Sequence, residues 1–231
     1  MSECLKIAVI GDFNFTYNSH HATNMALEHS ERYLEVELSY YWIRPSEAVN
    51  MRPHTFSVYD GILIAPGPYF NEFFLSGVLG QVINLNTPLL MTGEVYRLFI
   101  ELLIKQNNLN GNNEKLISDN LVSGNQFEPV QIQPLNASMK KLYATHSNVE
   151  LTSSRYSLYP RLLDALQDQV LSIEGRDQFE EPEIVRLKNH TFALATMFCP
   201  QISSTREMPH PLINLFVRAC LEQLKTAGET V

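Results

Sequence analysis

The chain has 231 residues, 45% of them hydrophobic and 18% charged, enough for one sizeable α/β domain or two small ones. Its formal net charge of −8 argues against general nucleic-acid binding, which needs a basic footprint, and against docking on anionic membranes. Three widely spaced cysteines (Cys4, Cys199, Cys220) form no CxxC pair, so neither a disulfide framework nor a cysteine zinc site is expected and the compartment reads as cytoplasmic. The first residues lack a basic segment followed by an apolar one, and no apolar run reaches membrane-spanning length.

In chain order, LKIAVIGDF is an apolar, β-branched run ending in Gly-Asp, the pattern of a first buried strand in a parallel sheet. SHHATNMALEHSERYL has helical spacing, with Ser19 placed as N-cap and Met25, Ala26 and Leu27 on the inner face. YLEVELSYYWI alternates as a second strand, and YDGILIAPG is a third, closed by Pro66-Gly67. FFLSGVLGQVINL reads as a short helix, TPLLMTG as a fourth strand and EVYRLFIELLIKQ as the helix after it. Strands alternating with helices predict a flavodoxin-like, doubly wound, mostly parallel sheet whose ligands sit beyond the strands' carboxyl ends.

An Asn-rich loop is expected over about 106–126. QFEPVQIQPL reads as a Pro-interrupted edge strand and YPRLLDALQDQ as a helix begun near Pro160. QVLSIEG, EIVRLKN and TFALATMF are β-like, and PHPLINLFVRACLEQL is an amphipathic closing helix. With no repeat and no linker, residues 1–231 are expected to form one domain, a small antiparallel sheet added to the parallel one.

The strand-to-helix turn in PLLMTGEVYRLFIELL is where many α/β hydrolytic enzymes mount a nucleophile. A catalytic elbow holds a non-glycine residue in a strained conformation costing about 1–3 kcal/mol. Gly93 takes positive φ freely, so it keeps such a turn without the strain. Local sequence leaves two readings open, a degenerate nucleophile elbow and an ordinary turn.

TFALATMFCPQISS shifts that balance, because with the elbow it resembles the class I glutamine amidotransferase domain, in the form at the C-terminus of CTP synthase and in small stand-alone relatives. The family elbow is Pro-x-Leu-Gly-x-Cys-Gly, and its later motif is Gln-Phe-His-Pro-Glu. Pro88 and Leu90 match, Met91 stands for the first Gly, and Gly93 stands for the nucleophilic Cys. Phe198 and Pro200 match, Cys199 stands for the catalytic His, and Gln201 stands for the Glu that orients it. YDGILIAPG, RYSLYP, NHTFALATMF, PHPL and ALEHS add weaker matches in the right order, from about Lys6 to Leu224.

Glutamine hydrolysis needs a thiolate, an imidazole that activates it, and a carboxylate that holds the imidazole. On this resemblance all three positions are vacant. Pro68 also lacks the N–H that a second glycine would offer, and an oxyanion donor contributes ~3–4 kcal/mol of barrier lowering. Glutaminase activity by the family mechanism is therefore expected to be absent. CTP synthesis also uses a separate ligase domain, and no phosphate loop or Gly-x-Gly-x-x-Gly is present.

Three functional expectations follow. The first is a catalytically degenerate amidotransferase-like protein, involved in pyrimidine nucleotide metabolism if it follows its relatives. Its former cleft, lined by Gly67, Pro68, Gly93, Glu94, Cys199 and Gln201, would bind a small molecule; a synthetase-like protein or a second copy of the chain is the expected macromolecular partner. The second is an enzyme with Cys199 as relocated nucleophile on an amide or thioester, activated by His20, His21 or Glu94. The third is a pure interaction module. His20 and His21 are also candidates for contact with an anion at a helix start, and Glu94 for binding a ligand amine. No His/Asp/Glu pair stands at metal-ligand spacing, so neither a metal nor a cofactor is expected.

Overall fold

A computed structural model describes residues 4–111, 114–122 and 126–228. The strands are β1 Leu5–Ile10, β2 Leu38–Ile43, β3 Gly61–Ile64, β4 Leu89–Thr92, β5 Glu128–Gln131, β6 Gln133–Pro134, β7 Val149–Thr152, β8 Leu171–Arg176, β9 Pro182–Leu187 and β10 Ala193–Thr196. The helices are α1 Asn18–Leu34, α2 Pro45–Ala48, α3 Glu72–Val82, α4 Val95–Gln106, α5 Ala137–Leu142, α6 Pro160–Gln169 and α7 Pro211–Gly228. No helix among the described residues is long and apolar enough to cross a membrane.

Eight strands form one sheet in the order β2-β1-β3-β4-β10-β9-β8-β6, and β5 pairs with β7 in a separate two-stranded antiparallel sheet. The run from β2 to β10 is parallel, and β9, β8 and β6 continue it antiparallel. This is the doubly wound architecture expected, with the small antiparallel addition. The three later β-like segments form β8, β9 and β10 of the main sheet.

Alternation along the strands sorts the core. Leu5, Ile7 and Val9 of β1 join Leu63, Leu90 and Leu194 under α1 and α7, while Ala8 and Ile10 join Ile62, Ile64, Leu89 and Met91 under α3 and α4. Because side chains alternate faces, strands covered on both sides read as continuous apolar runs, which is how they were legible.

Three local expectations change. Helix α1 starts two residues early, after Tyr17, so Ser19 lies inside the helix instead of capping it. Met25 is exposed, and Ala26, Leu27 and Thr23 form the inner face. The second strand is shorter than its pattern, because Tyr33 and Leu34 finish α1 and Glu35 in a left-handed conformation ends it. Within the Asn-rich loop, residues 112–113 and 123–125 lie outside the described residues. The rest docks on the RYSLYP segment: Ser118 N–H donates to the Ser157 carbonyl at 3.0 Å and Leu121 N–H to the Arg155 carbonyl at 2.8 Å.

Candidate functional site

The end of β4 and the end of β10 lie side by side, Thr92 opposite Thr196, so the two turns that follow are forced together. The first is the elbow. Gly93 has φ +73°, and its N–H is bound to the carbonyls of Thr196 and Phe198 at 3.0 and 3.3 Å. A Cβ placed on Gly93 would stand 2.9 Å from Pro66 Cβ and 3.2 Å from Cys199 Sγ. The two positions read from sequence as partners therefore lie close together, and a methyl group added to Gly93 would be tight against both Pro66 and Cys199.

Cys199 is fully buried, and burial pushes its thiol up to about 12. Its N–H donates to the Leu151 carbonyl at 2.9 Å, and Ser153 Oγ is its side-chain partner at 4.0 Å. Neither His20 nor His21 is hydrogen-bonded to it. His20 is buried in α1: its Nδ1 accepts the Asn14 N–H at 2.9 Å, so Nε2 carries the proton and donates to the Pro66 carbonyl at 3.2 Å. Desolvation lowers its pKa and favours that neutral form. His21 is exposed. The activated-thiol arrangement needs a base within reach of Cys199, and this geometry does not supply one.

The remaining candidates close the same pocket. Gln201, where the family pattern has a carboxylate, donates from Nε2 to Thr92 Oγ1 at 2.7 Å, and its Oε1 is buried without a partner. The Glu94 carboxyl lies directly over Gly67, with Oε2 on the spot a Cβ there would need. Desolvation first, and then the charge of Glu72, raise the Glu94 pKa. The Tyr69 hydroxyl donates to the Ala65 carbonyl beneath it. Pro68 is exposed at the edge.

A second polar group was not assembled by sequence reasoning. Glu150 of β7 is fully buried, and its carboxyl accepts from His210 Nε2 at 2.7 Å, Ser203 Oγ at 2.8 Å and the Tyr143 hydroxyl at 3.3 Å. His146 Nδ1 is 3.8 Å away. His146, Glu150 and His210 present donor atoms within 4.8 Å of one another, a spacing that suits a metal. Their hydrogen bonds do not. His210 Nδ1 accepts the Leu212 N–H, which puts its proton on Nε2, and His146 Nδ1 donates to the Ser147 carbonyl at 2.6 Å. Metal on His210 Nε2 would drive that proton onto Nδ1, against the Leu212 N–H, and uncap α7. As arranged, Glu150, His210, Ser203 and Tyr143 form a hydrogen-bonded nest with His146 beside it. Its one sequence signal was PHPL, which carries His210.

Comparison with known proteins bears on the fold and on sequence similarity. No family model matches the chain. Its sequence is similar to CTP synthases, at 35% identity over 82 residues (36% of this chain) with that of Methanospirillum hungatei and 28% over 95 residues (41%) with that of Azospirillum brasilense. Those matches span only 15% and 17% of the relatives' lengths. Among solved structures, the glutaminase domain of Trypanosoma brucei CTPS with bound acivicin superposes with a TM-score of 0.76 at 18% identity, over 94% of each chain. A glutamine amido transferase from Methylobacillus flagellatus gives 0.53 at 8% identity, over 95% of this chain and 92% of that one. The fold is that of a class I glutamine amidotransferase domain. The sequence similarity is to the CTP synthases.

Proposed function

We propose that this protein is a catalytically silent relative of the CTP synthase glutaminase domain, acting in the cytoplasm by binding rather than by hydrolysing glutamine. The observation that carries this reading is the contact between Gly93 and Cys199. The position where the family motif has a nucleophile has no side chain, and a buried thiol fills the space in front of it. The contact of Glu94 with Gly67 supports the same reading, because a carboxyl group of the chain lies over the glycine whose end of the strand helps form the family's oxyanion hole. A synthetase-like protein partner or a second copy of the chain fits a domain that keeps the fold and omits the chemistry.

The test is direct. The full chain is incubated with L-glutamine, and glutamate and ammonia are measured over hours. No release above a no-protein control is expected, whereas turnover that saturates with glutamine and disappears on changing Cys199 would overturn the proposal.

A further inference from the structure

The sheet order puts β2 on one side of β1, and β3 followed by β4 on the other, so the connections that leave β1 and β3 diverge. Beyond the carboxyl ends of two such strands a doubly wound sheet opens a crevice. Here the crevice is a pocket of about 370 Å³, built from residues that follow β1 (Asp12, Phe13), β2 (Arg44) and β3 (Phe70), with Phe74 of α3. Its lining is graded. Asp12 is only 9% exposed, whereas Phe13 and Phe70 are 44% and 83% exposed, and Arg44 is exposed as well.

The deciding group is the Asp12 carboxylate. Its Oδ2 accepts the Phe70 N–H at 3.0 Å. Its Oδ1 has no hydrogen-bond partner among the described residues, and unlike the sealed oxygens of Glu183 and Gln201 it keeps accessible surface. No cation of the chain answers it. His20, the ring that feels its charge, already uses both nitrogens on the Asn14 N–H and the Pro66 carbonyl. Arg44 lines the same pocket, and among the described residues it makes no ion pair. A largely desolvated carboxylate with one oxygen free favours a cation that donates N–H bonds. Aromatic faces within about 6 Å of such a cation add to the attraction. Phe13 is held in place for this by its packing on Trp42, with ring centroids 4.9 Å apart. A mostly apolar pocket with one or two fixed polar groups is the usual form of a small-molecule site.

We propose that this pocket binds a small organic monocation with N–H donors, the chemistry of a primary alkylammonium. Its charged end donates to Asp12 Oδ1, and its carbon chain packs among Phe13, Phe70 and Phe74. Arg44 repels a second positive charge, so a polyamine is excluded. The site shares no residue with the elbow. Glutamine turnover would overturn the earlier reading and leave this one standing.

Trp42 is the chain's only tryptophan, and its contact with Phe13 makes it a reporter on the pocket. The full chain is titrated with butylammonium chloride at constant ionic strength while Trp42 fluorescence is followed. A saturable change is expected, with butan-1-ol binding at least about tenfold more weakly. Affinity should fall about tenfold or more in D12N, which keeps an oxygen for the Phe70 N–H and removes the charge. It should fall about threefold in F70A, whose ring is exposed so that its loss spares the fold. Thermal melts confirm that both variants fold. Nα-acetyl-lysine methylamide carries the same butylammonium on a peptide backbone. Its binding upholds the inference and makes a protein's lysine the source, and its failure beside bound butylammonium upholds it with a free amine. The inference is overturned if the parent shows no saturation by about 10 mM, or if the alcohol binds as well as the cation. Unchanged binding in either variant, or butane-1,4-diammonium binding more than about threefold tighter than butylammonium, also overturns it.

Discussion

Strand β7 separates two regions that handle polarity in opposite ways. On the elbow side, Leu151 lends only its carbonyl to the Cys199 N–H, and the contact among Gly93, Pro66 and Cys199 is close-packed and sealed. One residue earlier, Glu150 turns toward α7 and is held by three donors, with an open cavity behind them. The elbow side is a tight turn closed by apolar and thiol contacts, and the α7 side is a paired polar cluster with open space beside it. Resemblance in backbone therefore does not say where a domain of this fold still meets small molecules.

The largest effect that would break this contrast comes from the nest. His210→Ala removes a buried donor to Glu150 and the acceptor that caps the Leu212 N–H, so a loss of about 3–5 kcal/mol in denaturant unfolding is expected. A loss under about 1 kcal/mol would mean that the nest is not the tightly coupled unit described.

Glu183 of β9 offers the next test. Both carboxyl oxygens are buried without partners, and desolvation, reinforced by Asp177, raises its pKa from 4.5 to about 8. The folded state thus holds this proton more tightly than the unfolded chain does. Its contribution to stability is complete below pH 4.5, declines as pH rises, and is gone above about 8. Stability of the parent should therefore fall by a few kcal/mol across that window. Glu183→Gln, which cannot titrate, should flatten most of the slope in melts taken between those pH values. An unchanged slope would show that other groups set it.

The smallest expected effect sharpens the elbow side. Gly93→Ala must hold an L side chain at φ +73° with its methyl 2.9 Å from Pro66, so a loss of about 1–3 kcal/mol is expected. The same melt on Gly80→Ala, where an added methyl meets nothing within 4 Å, should show no loss, since alanine favours the helix. Equal behaviour of the two variants would mean that the elbow is not sealed.

The sequence by itself determined the doubly wound half. LKIAVI, GILI, LLMT and ALAT are almost wholly apolar because each lies between helices on both faces, and that pattern is local. It also placed Gly93 at the strand-to-helix turn after the fourth strand, since a glycine there takes positive φ freely. The exact reach of α1 was less legible, because Met25 and Tyr33 satisfy a helical period while facing solvent. What only the tertiary structure decided was contact between distant segments. Gly93 touches Cys199 because β4 and β10 pair in register. Glu94 lies over Gly67 because the turns after β3 and β4 converge at one end of the sheet. His146, Glu150 and His210 meet although residues 60 apart supply the shortest of their bonds. No local periodicity encodes such a meeting. It follows from the hydrogen-bonded order of strands and the burial of apolar faces, and that order places the seal at the elbow and the open cavity beside α7.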